Sequence, residues 1–217
     1  MPTPSDKVVA LRRLLDERHP AARPREHRII PTGVPHLDEV LGGGIRTGAL
    51  TEFVSTCAST GSQTSLGSLL KLTRLARQRI AIVDAAGAFD IETLDNDLIA
   101  HVVWIRCQNL SECWRTADLV ARDPNYAVTV VDVRGLPLRA LLRTRDSIWV
   151  RLQRAVEQAE TALLVQSHSS IAPNAAYRVE FCEPMPPQDL LSPRREITAR
   201  ISPLLQRRRM RQQEATA

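Results

Sequence analysis

A segment near position 60 has the residue types of a phosphate-binding loop but lacks the charged one. Residues 52–66 read E-F-V-S-T-C-A-S-T-G-S-Q-T-S-L, a strand signal followed by small residues, Gly61 and a helix signal. Phosphate-binding loops follow the pattern G-x-x-x-x-G-K-[ST], because backbone N–H groups cradle the phosphates, lysine neutralises them and the hydroxyl holds Mg²⁺. Here Ser62 takes the lysine position and Gln63 the hydroxyl position. The segment therefore predicts the geometry of a nucleotide site without its chemistry.

No nearby residue replaces the missing lysine. Ser55 or Thr56 stands at the first glycine position, and Thr64 reaches the hydroxyl position only if the register slips by one. The chain has two lysines, and Lys71 lies ten residues past Gly61. That separation is about 15 Å along a helix, which is too far to reach the same phosphates.

The composition indicates one globular domain with a basic charge balance. The 217 residues are 43% hydrophobic and 24% charged, and the net charge is +5. A chain of this length buries one substantial core, and its positive charge permits an acidic partner such as nucleic acid without requiring one. No apolar run nears the length that crosses a bilayer, and the N-terminal residues lack a signal-peptide core. We therefore expect a cytoplasmic protein without membrane spans.

The cysteines and histidines predict neither a metal site nor a redox pair. Cys57, Cys107, Cys113 and Cys182 have no C-x-x-C spacing, and the five histidines are scattered. We expect reduced, structural cysteines. We assign no catalytic residue, no metal ligand and no cofactor.

Strand and helix signals alternate through the middle of the chain. Apolar runs predict strands, and apolar residues at helical spacing predict the helices between them. Asn109 followed by Glu112 predicts a helix N-cap. Such alternation is typical of an α/β protein with a mostly parallel sheet flanked by helices. The predicted strands are 51–54, 80–84, 102–106, 127–132 and 162–166, with extended pieces at 177–181 and 197–201, and the predicted helices are 65–78, 110–122 and 147–160.

The two terminal segments differ from this core. Residues 5–17 predict an amphipathic helix with Val8, Leu11 and Leu15 on one face, and the proline-interrupted basic stretch that follows cannot continue it. At the other end, apolar periodicity is lost and arginines accumulate, which predicts a disordered tail. We divide the chain into a helical arm with its linker (1–28), a core (29–205) and a basic tail (206–217).

Arginines in two segments are candidates for contact with a nucleic-acid backbone. One segment lies between the strand at 127–132 and the helix at 147–160, where a solvated arginine-rich surface explains the charges equally well. The other is the tail, which predicts a weak, sequence-independent affinity for DNA. The candidates are Arg134, Arg139, Arg143 and Arg145 in the first segment and Arg207, Arg208, Arg209 and Arg211 in the tail.

Four landmarks in the chain resemble, in order, the RecA-like recombinases. Residues 30–52, I-P-T-G-V-P-H-L-D-E-V-L-G-G-G-I-R-T-G-A-L-T-E, match the family pattern T-G-x-x-x-L-D-x-x-L-G-G-G-[IL]-x-x-G that precedes the phosphate loop. Residues 80–90, 128–132 and 161–168 then resemble the second core strand, the Walker B strand and the strand before a DNA-binding loop. In its short length and in the sequence around L-G-G-G-I-R-T-G, the chain is most similar to the ImuA-type accessory proteins of damage-inducible mutagenesis.

The resemblance implies a RecA-like core that has lost catalytic residues. Asp132 matches the Walker B carboxylate, although a helix or turn cap explains it equally well. Ala86 aligns with the glutamate that activates water. Gln166 or His168 aligns with the glutamine that senses the γ-phosphate, and a gapless register favours His168.

These losses imply a degenerate nucleotide site that neither binds ATP tightly nor hydrolyses it. Without lysine, nothing offsets the charge of the β- and γ-phosphates, and without glutamate no base positions the attacking water. The residues of this expected site are Gly61, Ser62, Gln63, Thr64 and Asp132.

The function that the resemblance implies is contact with other proteins. We expect a non-hydrolysing accessory in the DNA damage response and translesion synthesis that binds a RecA-type recombinase, a translesion polymerase or both. In the RecA family the corresponding arm docks on a neighbouring subunit, so Val8, Leu11 and Leu15 are the candidate partner-binding residues. Two alternatives stay open: a divergent DNA-dependent ATPase that recruits an arginine in place of lysine, and a DNA-binding module that uses the arginine tail.

Overall fold

The computed structural model of the protein describes residues 27–85, 87–92 and 94–208, apart from the side chain of Leu190. The predicted arm with Val8, Leu11 and Leu15 lies outside the described residues. So do Ala86 and the tail residues Arg209 and Arg211.

Strands and helices alternate in the described chain as the sequence predicts. Most predicted strands and helices are found within one to three residues of their expected bounds. The strands are β1 (Ile29–Ile30), β2 (Ile45–Arg46), β3 (Leu50–Ser55), β4 (Arg79–Asp84), β5 (Val102–Arg106), β6 (Tyr126–Asp132), β7 (Ala162–Ser167), β8 (Tyr177–Phe181) and β9 (Leu204–Arg208). The helices are α1 (Pro35–Leu41), α2 (Ser62–Leu75), α3 (Asn96–Ile99), α4 (Leu110–Ala121), α5 (Leu138–Leu141), α6 (Asp146–Ala159) and α7 (Arg194–Arg200), and a 3₁₀ helix spans Pro187–Leu191.

Seven strands form one sheet in the order β5-β4-β6-β7-β3-β8-β9. Every neighbouring pair is parallel except β8 and β9, which are antiparallel. β1 and β2 form a separate antiparallel pair. The prediction of an α/β fold with a mostly parallel sheet is confirmed. The carboxyl ends of the parallel strands share one edge, which is where sheets of this kind bind ligands.

Helices cover both faces of the sheet and bury two cores. On one face α2 buries Leu66, Leu69 and Leu70, as their helical spacing predicts. On the other face α4 and α6 bury Trp114 and Trp149, whose rings meet edge to face with centroids 4.9 Å apart. Because the central strands are covered on both sides, their sequences are continuous apolar runs. The helices within the described residues are too short or too polar to span a lipid bilayer.

The predicted cap of α4 is confirmed. The Asn109 side chain accepts a hydrogen bond from the Glu112 backbone N–H at 2.9 Å, and the Glu112 carboxylate accepts one from the Gln108 N–H at 2.8 Å. This reciprocal arrangement satisfies two N–H groups that an uncapped helix would leave without acceptors.

The C-terminal part of the core differs from the prediction. The prediction of an extended piece at residues 197–201 is wrong, because Arg194–Arg200 form α7 directly after Pro193. Proline fixes φ at a value that suits a helix start, and the Thr198 hydroxyl bonds back to the Arg195 carbonyl at 2.8 Å within the helix. Residues 206–208, which the sequence assigns to the disordered tail, instead continue β9 along β8.

Candidate functional site

The loop after β3 leads into α2 with the strand–loop–helix order of a phosphate site. Gly61 is the N-cap of α2 and has φ +88°, a left-handed conformation that glycine adopts without strain. The helix begins at Ser62, three residues before its predicted start. Ser62, Gln63 and Thr64 thus form the first turn, whose N–H groups have no acceptor inside the helix.

A cavity of about 430 Å³ lies over this loop, and we call it the loop cavity. Residues 55–64 form one side, so the structure brings together the four predicted loop residues Gly61, Ser62, Gln63 and Thr64. The other side is Arg134, His168 and Met185. The Gln63 amide is already engaged, since its Nε2 donates to the Ala88 carbonyl at 3.1 Å.

Asp132 ends β6 beside the loop cavity and is paired with an arginine. Its carboxylate is fully buried and accepts from Arg134 Nε at 2.9 Å and from Arg134 Nη2 at 2.5 Å. The Arg134 backbone N–H also donates to it, at 3.2 Å. A carboxylate held by a bidentate guanidinium has its charge neutralised at short range. Arg134, which the sequence leaves open as a nucleic-acid contact or a solvated surface charge, is bound to Asp132.

Four polar residues end neighbouring strands on the face that α2 covers. They are the last residues Ser55 of β3, Asp132 of β6 and Asp84 of β4, and the penultimate residue Gln166 of β7. The register places Asp132 directly between Gln166 and Asp84. Asp84 accepts from the Ala88 N–H at 3.0 Å and from Trp104 Nε1 at 3.2 Å, so it caps the following turn. These residues form a polar row at the carboxyl edge of the sheet.

Two members of the polar row carry atoms without partners. Both amide atoms of Gln166 and the Ser55 hydroxyl are buried, and none has a hydrogen-bond partner among the described residues. Buried polar groups without partners are costly and uncommon. Of the two candidates for the glutamine position, Gln166 lies in the row beside Asp132, while His168 lies at the wall of the loop cavity.

The C-terminal part of the core packs onto Gly61. A Cβ at position 61 would lie 2.7 Å from Ile201 Cγ1 and 3.3 Å from Met185 Cε. The Met185 N–H donates to the Ser59 carbonyl at 2.9 Å, which ties this segment to the loop. The loop is thus partly covered by apolar side chains of its own chain. The sequence offers no signal for this contact.

A third buried carboxylate, Glu52 on β3, accepts hydrogen bonds from several directions. Its Oε2 accepts from Arg178 Nε at 2.6 Å, and its Oε1 accepts from the Ile171 and Ala172 N–H groups at 2.6 and 3.1 Å. Arg178 Nη2 also donates to the Ala172 carbonyl at 2.7 Å. This cluster joins β3, β8 and the loop after β7. Sequence reasoning missed it, since Glu52 and Arg178 lie 126 positions apart.

The predicted nucleic-acid arginines lie in two separate places. Arg143 and Arg145 lie between α5 and α6 and line a second cavity. Arg207 and Arg208 lie on β9, where Arg207 Nη1 donates to the Pro173 carbonyl at 2.7 Å. The other two tail arginines lie outside the described residues.

The four cysteines are free thiols, and two of them are buried. Burial raises the pKa of Cys113 and Cys107 above the ordinary thiol value, which makes both poor nucleophiles. No group of three or more His, Cys, Asp or Glu side chains in the described ranges is placed to hold a metal ion.

Fold and site together define an α/β protein with a loop–helix cavity at the carboxyl edge of a mostly parallel sheet. No protein-family model matches the chain, and the comparison with curated proteins finds no match. The residues themselves must therefore carry any assignment of function.

Proposed function

We propose that this protein is a RecA-like pseudo-ATPase of the ImuA type. In this proposal it is a cytoplasmic, non-hydrolysing accessory in the DNA damage response and translesion synthesis. It binds a RecA-type recombinase, a translesion polymerase or both. The order of the four sequence landmarks supports this, and so does a sheet in which the loop strand β3 and the Asp132 strand β6 flank β7.

The ion pair between Asp132 and Arg134 is the observation that carries the proposal. A nucleotide bound with Mg²⁺ needs a free carboxylate for the metal and a free cation for the phosphates. Here the cation that lines the loop cavity, Arg134, is bound to the fully buried Asp132 carboxylate at 2.5 and 2.9 Å. Neither of these two charges is free for a ligand, which favours a protein that acts through its surfaces over one that turns over ATP.

The packing on Gly61 supports the same conclusion. Close approach of a phosphate to the loop requires open space at the glycine and at the first turn of α2. Ile201 and Met185 occupy the side of Gly61 where its missing Cβ would point. A nucleotide would meet apolar side chains there.

The alternative of a divergent ATPase has one feature in its favour, since Arg134 borders the loop and could stand in for the lysine. To hold a phosphate with the same donors, Arg134 must leave Asp132, whose carboxylate is 0% exposed. Breaking a buried ion pair costs about 3–5 kcal/mol, which is about two to four orders of magnitude in affinity. The energetic balance therefore favours the pseudo-ATPase.

Calorimetry with ATP and Mg²⁺ tests the nucleotide part of the proposal. We expect no stoichiometric binding and no hydrolysis above the rate of a buffer control. A Mg²⁺-dependent site with one nucleotide per chain would contradict it.

Co-purification from the native host tests the partner part. A tagged full-length chain should retain a recombinase or a translesion polymerase after washing at moderate salt. A tagged unrelated protein of similar net charge serves as the control. Recovery of neither partner would contradict the proposed partners but would not affect the proposal that the protein does not bind or hydrolyse ATP.

A further inference from the structure

A second cavity, of about 500 Å³, opens on the face of the sheet opposite the loop cavity. Its walls are the first turns of α4 and the segment that joins α5 to α6. Four of its lining residues are arginines, and we call it the arginine cleft. The arginines are Arg115, Arg143, Arg145 and Arg151.

The positive charge of the arginine cleft is mostly uncompensated. All four arginines are exposed, and none of the lining residues is acidic. Within the described ranges only Arg151 has an ion pair, with Asp118 at 3.2 Å, and Asp118 is shared with Arg122. Such a concentration of like charge attracts acidic ligands from solution.

The first turns of α4 and α6 add to the field of the cleft. Both helices exceed ten residues and begin at its wall, so their N-terminal partial charges reinforce the arginines. Glu112 and Asp146 lie in these first turns but do not line the cleft. The hydroxyl groups that line it offer further donors: Ser111, Thr144 and Ser147.

The apolar residues of the cleft indicate which of two acidic ligands it suits, single-stranded nucleic acid or an acidic protein segment. Grooves for single-stranded nucleic acid combine positive charge with exposed aromatic rings on which bases stack. The aromatic lining residue, Trp114, is only 3% exposed and donates to the Thr144 hydroxyl at 3.3 Å. The other apolar lining residues are aliphatic and half-buried: Leu110, Ala140 and Ile148. Arginine beside aliphatic surface suits a protein segment.

We propose that the arginine cleft binds an acidic peptide segment of a partner protein that carries aliphatic side chains between its carboxylates. Arg115, Arg143 and Arg145 engage the carboxylates through paired guanidinium hydrogen bonds, while the lining residues Leu110 and Ile148 pack against the aliphatic side chains. The inference goes beyond the proposed function, because it concerns a separate surface and holds whether or not the loop cavity takes a nucleotide.

Fluorescence anisotropy with the full chain tests the inference. The probe is a short fluorescein-labelled peptide that alternates Asp or Glu with Leu, and unlabelled oligo-dT is the competitor. The double variant Arg143→Glu with Arg145→Glu should weaken peptide binding about tenfold or more, because two guanidinium contacts are lost and repulsion replaces them. The matched control is Arg139→Glu with Arg195→Glu, which makes the same change in net charge at exposed positions outside the cleft. It should change the affinity by less than about twofold.

Three results would overturn the inference. The first is an absence of peptide binding by the wild-type chain. The second is an equal loss of affinity in the control variant, which would indicate general electrostatic attraction. The third is displacement of the peptide by oligo-dT at lower concentration than by the unlabelled peptide, which would assign the cleft to nucleic acid. Leu110→Ser supplies a further readout if its circular dichroism matches that of the wild type. It leaves the net charge unchanged and should still weaken peptide binding while leaving oligo-dT binding unchanged.

Discussion

The loop cavity and the arginine cleft lie at the same edge of the sheet, on opposite faces, and hold arginine in opposite ways. In the loop cavity Arg134 is bound to Asp132 and is 16% exposed. In the arginine cleft Arg143 and Arg145 are exposed and have no ion pair within the described ranges. A sequence motif therefore indicates where the fold would place a ligand, whereas the pairing of charges indicates where one is free to bind.

The largest effect should come from removing a paired arginine. Arg178→Met leaves the Glu52 carboxylate buried without its cation, and we expect the free energy of unfolding to fall by about 3–5 kcal/mol. Arg143→Met removes an unpaired, exposed arginine and should change stability by less than about 0.5 kcal/mol. Urea unfolding monitored by circular dichroism measures both. Equal effects of the two changes would remove the distinction between paired and unpaired arginines.

A smaller effect should follow from converting a paired arginine into a free one. Asp132→Asn keeps the shape of the side chain but removes the charge that holds Arg134, so the loop cavity should gain affinity for anions. We expect pyrophosphate at about 100 times its dissociation constant to stabilise this variant by roughly 2.7 kcal/mol. The wild-type chain should show no such shift in thermal unfolding. Arg134→Met in the Asp132→Asn background is the control, and stabilisation that survives in it would have another source.

The smallest effect concerns His101, a buried basic group that forms no ion pair among the described residues. Burial and the nearby charge of Arg74 lower the pKa of His101, although the charge of Asp97 raises it slightly, and its Nε2 lies 3.0 Å from the Thr73 hydroxyl. Because the folded pKa lies below the unfolded value of about 6.5, stability should be constant above that pH and decline as the pH falls below it. His101→Gln should flatten this decline between about pH 7 and 5 in urea unfolding. An identical pH profile in wild type and variant would show that other groups cause it.

The sequence predicts most strands of the sheet well because they are short apolar runs, of which the central ones are buried on both faces. The runs at 80–84, 102–106 and 127–132 are apolar and end at polar residues, and the observed strands differ from them by at most one residue at either end. The piece at 197–201 contains three β-branched residues but pairs with no described strand, and a helix begins after Pro193 there instead. Local pattern fails where a neighbouring proline or a distant partner decides the structure.

The candidate site is predictable only in part for a related reason. Gly61, Ser62, Gln63 and Asp132 were identifiable from spacing within a known motif. The pairing of Arg134 with Asp132 has only a weak signal, an arginine two positions after the carboxylate that ends a strand. Ile201 covers Gly61 although the two residues lie 140 positions apart in the sequence. Residue types alone do not predict a contact over that distance.

The position of β3 has a consequence for how the chain acquires its structure. This strand lies between β7 and β8, and its buried Glu52 carboxylate pairs with Arg178, which lies 126 residues further along the chain. Pairings over such distances close large loops, so they form late and slow the folding reaction. During synthesis β3 stays without its neighbours β7 and β8 until most of the core has left the ribosome. The newly made chain therefore passes through a long interval in which a buried strand has two unpaired edges, and it should depend on chaperones more than a helical protein of equal length.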